Sequence, residues 1–198
     1  MKTLLISAAA ITASILPSAA SAQAIPGAVV AVVDLEKVTS ECNACKTAAA
    51  ALRSQATALQ SRQTALATPL ETEGKSIQAA IDALPQGKEP DAALQNRAKA
   101  WQSKRDAAAQ EITRGEEQLR RNQAYINQQV RDKLGPIYQQ VMQRRGANIM
   151  VETGSTLATS TSVDVSNDVL SALNAAMPTI ATQAPAQTTT QRQQPQGR

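Results

Sequence analysis

Residues 84–90 read Leu-Pro-Gln-Gly-Lys-Glu-Pro, and this short segment divides two long stretches of helical pattern. Two prolines and a glycine within one short segment end a helix, because proline lacks the N–H group that a helix interior needs. On both sides, apolar residues recur at the spacing of a coiled-coil seam. The pattern predicts a helical hairpin arm over residues 46–145, with its tip near residues 85–90.

The two apolar stripes of this hairpin fix how its helices face each other. The first stripe comprises Leu52, Leu59, Leu66, Leu70, Ile77, Ile81 and Leu84. The second comprises Leu94, Trp101, Ala108, Ile112, Leu119, Ile126, Val130, Ile137 and Val141. Folding the chain back at Gly87 and Lys88 in an antiparallel hairpin predicts that Gly74 lies opposite Trp101.

Four hinge candidates interrupt the helical pattern inside the arm, namely Pro69, Gly74, Gly135 and Pro136. A glycine inside a helix costs about 1 kcal/mol relative to alanine, and room for the Trp101 indole is a physical reason to keep Gly74. Proline kinks or ends a helix, so we expect a kink or break at Pro69 and a second break at Gly135-Pro136. The distal residues 70–105 should therefore bend against the rest of the arm.

A small body brackets the hairpin, formed by residues 23–45 and 146–177. Val29–Val33 (VVAVV) and Asn148–Glu152 (NIMVE) are β-branched apolar runs typical of strands, and residues 155–160 are a third candidate. Asp164-Val165-Ser166 can cap a last helix that ends near residue 176. The fold class is mainly α with a small β part. So few strands are unstable alone, which predicts that a homo-oligomer completes the body.

Both ends of the chain have a recognisable composition. Residues 1–22 combine Lys2, an alanine-rich apolar stretch and Ala20-Ser21-Ala22, which predicts a signal peptide cleaved after Ala22. In a Gram-negative host the mature protein is then periplasmic. Residues 178–198 are rich in Thr, Gln, Pro and Ala, and such a tail is expected to be disordered.

Composition excludes several kinds of chemistry. The chain contains no histidine, so the usual general base and the commonest metal ligand are missing. We expect no catalytic residues, no metal site and no cofactor, and an exported protein is a poor candidate for binding nucleic acid. The second helix carries an excess of basic residues, which favours an anionic membrane surface, lipopolysaccharide or an acidic polypeptide as partner.

Four sequence features together resemble the Skp (OmpH) family of periplasmic chaperones. A signal peptide leads to VVAVVDLEKV at residues 29–38, and a long helical hairpin follows. The returning helix then leads to RRGANIMVE at residues 144–152. Finally, DVSNDVL at residues 164–170 is similar to the family's Asp-hydrophobic-Thr motif, with Ser166 in place of threonine. The resemblance covers roughly residues 27–176, and the order of the four features carries it.

The resemblance implies a trimer with a β-barrel body and three tentacle-like arms around a cavity. It implies a holdase that binds unfolded outer-membrane proteins without ATP, and for some members lipopolysaccharide. Basic residues of the distal arm are our candidates for contacts with clients or anionic surfaces, namely Lys75, Lys88, Arg97, Lys99, Lys104 and Arg105. Such contacts should weaken as salt concentration rises.

The pair Cys42 and Cys45 departs from this family pattern. A structural disulfide, within one subunit or between subunits, is the main interpretation for an exported protein. Helix positions three residues apart, such as 42 and 45, hold their Cβ atoms about 5–6 Å apart, whereas a disulfide requires about 3.8 Å, so a local bridge should distort the start of the arm. Two further functions stay open. One is a coiled-coil adaptor or spacer of an envelope assembly, and the other is a CxxC thiol-disulfide protein.

Overall fold

The computed structural model describes residues 26–186, so the signal peptide predicted at residues 1–22 lies outside the described part, as do residues 187–198. The fold class is confirmed: the described chain is mostly helical, with a small parallel sheet and a long helical hairpin. Its elements, in chain order, are β1 (Val30–Val33), α1 (Leu35–Glu41), α2 (Asn43–Asp82), α3 (Ala92–Arg145), β2 (Ile149–Glu152) and α4 (Ser166–Ala176).

The body is built around two parallel strands. Val30 of β1 lies opposite Ile149 of β2, and Val33 lies opposite Glu152. Parallel strands need a long crossover connection, and here the whole hairpin arm serves as that connection. The core packs β1, α1, α4 and the base of the arm around a set of buried side chains that includes Val38, Cys42, Val141, Val169 and Leu173.

The third strand expected at residues 155–160 does not form. Residues 153–155 and 161–163 are short 3₁₀ turns, and a single bridge joins Val32 to Asp164. Local side-chain hydrogen bonds explain the difference. Thr156 Oγ1 donates to the Thr153 carbonyl at 2.8 Å, and Ser160 Oγ accepts from the Ser162 N–H at 3.3 Å. Such bonds give the backbone an alternative to a strand ladder.

A buried serine joins the end of β1 to the start of α4. Ser166 Oγ accepts a hydrogen bond from the Asp34 N–H at 2.8 Å and donates to Asp164 Oδ1 at 2.6 Å. Asp164 Oδ1 also accepts from the Ser166 N–H at 2.8 Å. Hydrogen bonds from Ser166 therefore lower the pKa of Asp164. Asp34 itself caps α1 by accepting from the Lys37 N–H at 2.8 Å.

The hairpin begins and ends where the sequence provides caps. Asp91 accepts a hydrogen bond from the Leu94 N–H at 2.8 Å and so caps α3 at the tip. Gly87 in the tip loop has a φ angle of 78°, and Gly146 after α3 has a φ angle of 66°. Both angles lie in the left-handed region that glycine adopts most easily. The tip near residues 85–90 agrees with the sequence prediction.

The contacts between α2 and α3 confirm the predicted register. A Cβ atom at Gly74 would lie 3.1 Å from the Trp101 ring, and the Trp101 Nε1–H donates to the Leu70 carbonyl at 2.8 Å. The Arg62 Nε atom lies 2.6 Å from Glu111 Oε1. The indole thus occupies the space that the missing side chain leaves open.

The helix break predicted at Gly135-Pro136 does not form, and at Pro69 the helix is not broken. Pro69 lies within the continuous helix α2, and Gly135-Pro136 lies within the continuous helix α3. Both prolines are exposed. Each lacks the N–H group that would bond the carbonyl four residues earlier, and on the solvent side of the helix water can hydrate that carbonyl instead. Buried Leu134 and Ile137 hold the helix against the body on either side of Pro136.

A double-mutant cycle tests the packing of Gly74 against Trp101. In the wild-type chain, Gly74→Ala should raise the opening free energy of residues 70–105 little or not at all. The new methyl group would contact the Trp101 indole, which a hydrogen bond holds in place. In the Trp101→Ala background the same change should stabilise residues 70–105 by about 1 kcal/mol, which is the helix-propensity difference. Amide hydrogen exchange measures the opening free energy of this segment. An equal effect of Gly74→Ala in both backgrounds would contradict the contact.

Candidate functional site

The six basic candidates of the distal arm are all exposed, and the structure does not bring them together at one point. Three of them are engaged with neighbours. Lys75 Nζ lies 2.6 Å from Glu71 Oε1, Arg97 Nε lies 2.6 Å from Glu73 Oε1, and the Arg105 guanidinium lies 5.3 Å from the centre of the Trp101 ring. Arg97 thus helps to hold the hairpin together, whereas Arg105 contacts a residue of its own helix.

The other three candidates are exposed, although the charge of Lys104, after the hydrogen bond from Arg97, contributes to the lowered pKa of Glu73. Within residues 26–186, no salt bridge shorter than 4.0 Å includes Lys88, Lys99 or Lys104. Lys88 stands in the tip loop, and Lys104 lines a cavity of about 430 Å³ between the two helices beside Pro69. These three lysines are therefore better placed than Lys75, Arg97 and Arg105 to attract an anionic partner.

Two ion pairs connect α2 with α3. Arg62 contacts both carboxylate oxygens of Glu111, at 2.6 and 3.2 Å, and Arg97 contacts Glu73 and also the Ser76 hydroxyl at 2.8 Å. The hydrogen bond from Arg97 lowers the pKa of Glu73, and the hydrogen bond from Arg62 lowers the pKa of Glu111. Sequence periodicity missed both pairs, because it was read only from apolar positions.

The cysteines form a bridge within one subunit. Cys42 and Cys45 are joined by a disulfide, with their Cα atoms 5.1 Å apart. The expected distortion is present, because the helix is interrupted at Cys42, which ends α1 and caps α2 by accepting from the Cys45 N–H at 3.2 Å. Cys42 is fully buried in the core of the body. Cys45 beside it is partly exposed, but reactive cysteines lie in partly exposed surroundings, so the complete burial of Cys42 favours a structural disulfide.

A row of side-chain amides at the base of the arm was missed by the sequence analysis. Asn122 is 3% exposed and donates through Nδ2 to Gln55 Oε1 at 2.8 Å, while its Oδ1 accepts from Gln118 Nε2 at 2.7 Å. Gln129 lies seven residues further along α3, on the same face. The sequence contains one sign of this row. Asn122 is a polar residue in the seam, because it falls between the stripe residues Leu119 and Ile126.

The amide row holds the first residues of the tail. Gln129 forms two hydrogen bonds with the backbone of Ala181, at 2.8 and 3.0 Å, and Asn122 Oδ1 accepts from the Ala184 N–H at 2.9 Å. The expectation of a disordered tail over residues 178–198 is therefore wrong for residues 178–186. Composition identified a segment that builds no core of its own, but could not show that the arm offers hydrogen-bond partners for its backbone.

Two features that would suggest other activities are absent from the described part. Across residues 26–186, no three or more acidic or cysteine side chains are grouped so that they could hold a metal ion. None of the helices over the same residues has both the length and the apolar character needed to cross a membrane.

The comparison with protein families is decisive. A family model described as outer membrane protein (OmpH-like) matches residues 29–173. The chain belongs to the OmpH-like family. This confirms the resemblance read from the sequence, and membership of this family supports a chaperone role. A comparison with curated proteins returns no match.

The comparison with solved structures agrees with this assignment. The fold is similar to the crystal structure of a Caulobacter crescentus CB15 protein assigned as an OmpH-like outer membrane chaperone, with a TM-score of 0.67 and 19% sequence identity. The match covers 83% of this chain and 94% of that chain. At this level of identity the likeness establishes the fold.

The two interhelical ion pairs of this OmpH-like chain predict a pH dependence of the arm. Folding lowers the pKa of both carboxyl groups. The ion pairs therefore stabilise the folded arm fully above the pKa of these groups in the unfolded chain, and this stabilisation is lost as the pH falls through their lower pKa in the folded chain. Hydrogen exchange in residues 59–111 should therefore accelerate between about pH 6 and about pH 3 after correction for intrinsic rates. The effect should be modest, because the pairs are exposed.

Matched variants separate this effect from general acid denaturation. Glu73→Gln with Glu111→Gln should remove most of the pH dependence, whereas Glu41→Gln with Glu116→Gln removes two exposed carboxyls elsewhere and should preserve it. If both double variants respond to pH in the same way, the ion pairs do not control the arm.

Proposed function

We propose that this OmpH-like chain is an ATP-independent periplasmic holdase that binds unfolded outer-membrane proteins between its arms. The proposal rests on where the buried side chains lie along the chain. Between residues 49 and 121, Ile77 alone among the apolar side chains is less than a tenth exposed. The distal arm is therefore almost entirely surface, which suits a long contact with a flexible partner.

The arm can act as a holding surface through its charge and its grooves. Lys88, Lys99 and Lys104 present positive charge to solvent, and the cavity beside Pro69 adds Leu66 and Leu70 as apolar contacts. Electrostatic attraction would bring an anionic client or membrane surface, including lipopolysaccharide, to the arm, and apolar contacts would hold exposed client segments. Bending at Pro69, Gly74, Gly135 and Pro136 would let the arms adapt to clients of different size.

The exposed edges of the sheet support the proposal that the chain forms an oligomer. A two-stranded sheet is marginally stable alone, and Val29, Val30 and Ile149 are between 40% and 50% exposed beside it. Unpaired strand edges with apolar side chains are favourable sites for pairing with another copy. We propose a trimer, in which three bodies share one β-structure and three arms surround a client. The signal-peptide pattern of residues 1–22 is the support for export to the periplasm.

The direct test measures suppression of aggregation. The mature chain should keep a urea-diluted outer-membrane β-barrel protein soluble without ATP, at about one trimer per client, as a discrete complex whose mass is measured in parallel. Rising salt should weaken the complex. An oligomer that leaves aggregation unchanged would contradict the holdase function, and tight binding of one folded envelope protein would favour an adaptor instead.

Charge-matched variants identify the part of the chain that contacts the client. Lys88→Gln, Lys99→Gln and Lys104→Gln together should weaken client binding about tenfold at low salt, because each loses favourable long-range attraction. Lys46→Gln, Arg53→Gln and Lys133→Gln remove three exposed charges near the base and should have a much smaller effect. Equal losses in the two triple variants would show that net charge, rather than the distal arm, governs binding.

The same assay separates the holdase from a thiol-disulfide protein. A double variant with Cys42→Ser and Cys45→Ser should suppress aggregation as the wild-type chain does, at a temperature where circular dichroism shows that it remains folded. Complete loss of activity in this folded variant would favour a redox function.

A further inference from the structure

Residues 178–186 cross the base of the arm as an extended strap. Ile180 packs against the core of the body, and the following residues pass over the seam between α2 and α3. Four hydrogen bonds join the strap to the amide row. Gln129 and Asn122 bind Ala181 and Ala184 as described above, and Gln55 Nε2 donates to the Thr182 carbonyl at 3.3 Å.

All four of these hydrogen bonds go to the backbone of the strap. Gln129 contacts both the N–H and the carbonyl of Ala181, as a neighbouring strand would do. A site that binds only backbone groups does not depend on the sequence that occupies it. The amide row is therefore suited to any extended polypeptide whose backbone N–H and carbonyl groups are unpaired.

The strap leaves much of the groove beneath it empty. A cavity of about 650 Å³ lies between the strap and the arm, lined by Leu59, Leu119 and Gly115 on the arm side. Ala184 and Ala186 line its strap side, and their methyl groups are too small to fill it. An extended segment with larger apolar side chains would make the same backbone hydrogen bonds and also fill the cavity, which adds buried apolar area.

The amide row stays ordered because its members bind each other as well as the strap. Asn122 is held between Gln55 and Gln118, so its Oδ1 atom faces the strap in a fixed position. Gln129 Nε2 also donates to the Tyr125 carbonyl at 3.2 Å. Without the strap, Asn122 would keep Gln55 and Gln118 as partners, whereas the half-buried Gln129 Oε1 would lose the Ala181 N–H, and losing such a partner costs free energy.

We propose that Gln55, Asn122 and Gln129 form a backbone-binding site for extended polypeptide, which residues 181–184 of the chain occupy until an unfolded client segment displaces them. The identity of the displacing chain rests on the proposed holdase function. The strap then acts as a built-in competitor. It keeps the groove covered in the free protein and sets a threshold that weakly binding polypeptides do not pass.

Proline substitutions in the full-length mature chain release the strap without altering the arm. Ala181→Pro with Ala184→Pro removes the two N–H groups that donate to Gln129 and Asn122. Thr179→Pro is the control, because it makes the same chemical change at an exposed strap residue that forms none of these hydrogen bonds and does not line the cavity. Circular dichroism and the oligomeric mass check that both variants keep their helices and assembly.

The probe is a fluorescent peptide with the sequence of residues 178–186, followed by anisotropy. The released double variant should bind it about tenfold more tightly than the wild-type chain and the Thr179→Pro control, because its groove is open. A peptide with leucine in place of the alanines at positions 184 and 186 should bind more tightly still. Equal binding by all three proteins would overturn the proposal.

A second change locates the peptide on the amide row. In the released background, Gln129→Glu removes the donor to the peptide carbonyl and should lower the affinity about tenfold or more, whereas Gln128→Glu on the exposed face should not. Unchanged binding after Gln129→Glu would overturn the assignment of the site. An unfolded outer-membrane protein should displace the peptide from the released variant, and failure to displace it would overturn the competition with clients.

These outcomes are independent of the proposed function. Peptide binding by the released variant, together with a wild-type chain that suppresses no aggregation, would retain the backbone-binding site and reject the holdase. Suppression of aggregation with no preference of the peptide for the released variant would retain the holdase and reject the strap.

Discussion

The parallel pairing of β1 with β2 is the constraint on which the rest of the structure depends. A parallel partner must run in the same direction as β1, so the chain has to travel back past the whole body before β2 begins. The helices reflect this path, because α3 has 54 residues whereas α2 has 40. The difference corresponds to about 20 Å of helix, enough for α3 to descend beside α1 and the sheet. The arm is thus an enlarged crossover connection, and its base is part of the core.

The sequence predicted the hairpin and its register because apolar periodicity and a proline-rich break are local signals. It missed Gln55, Gly115 and Asn122 because the stripes were traced in steps of seven, which pass over the seam position between two apolar residues. Leu59 packs close to Gly115 at one such position, where a Cβ atom would lie 2.5 Å from its side chain. The break at Gly135-Pro136 was wrongly predicted because a proline's effect depends on which face of the helix it occupies, and that is known only after the helices pack.

The choice between a local and an intersubunit disulfide could not be made from the sequence, and the strap could not be predicted, for a related reason. Cys42 and Cys45 can bridge only where the helix is interrupted, and that interruption depends on how α1 and α4 pack in the body. The strap has no apolar pattern, and hydrogen bonds from the arm hold its backbone. The buried core thus explains why the base is fixed, while the exposed distal arm provides the surface for the proposed holding of clients. Lys88, Lys99 and Lys104 add the charge that would draw clients in.

A hydrogen-exchange footprint shows whether a client lies along the arm. Exchange of the mature chain would be compared with and without a urea-unfolded outer-membrane β-barrel protein, at equal salt and pH. Client binding should slow exchange in α2 and α3, with little change in β1, β2 and α4. Protection confined to the body, or no protection at all while a stable complex is present, would show that the client does not lie along the arm.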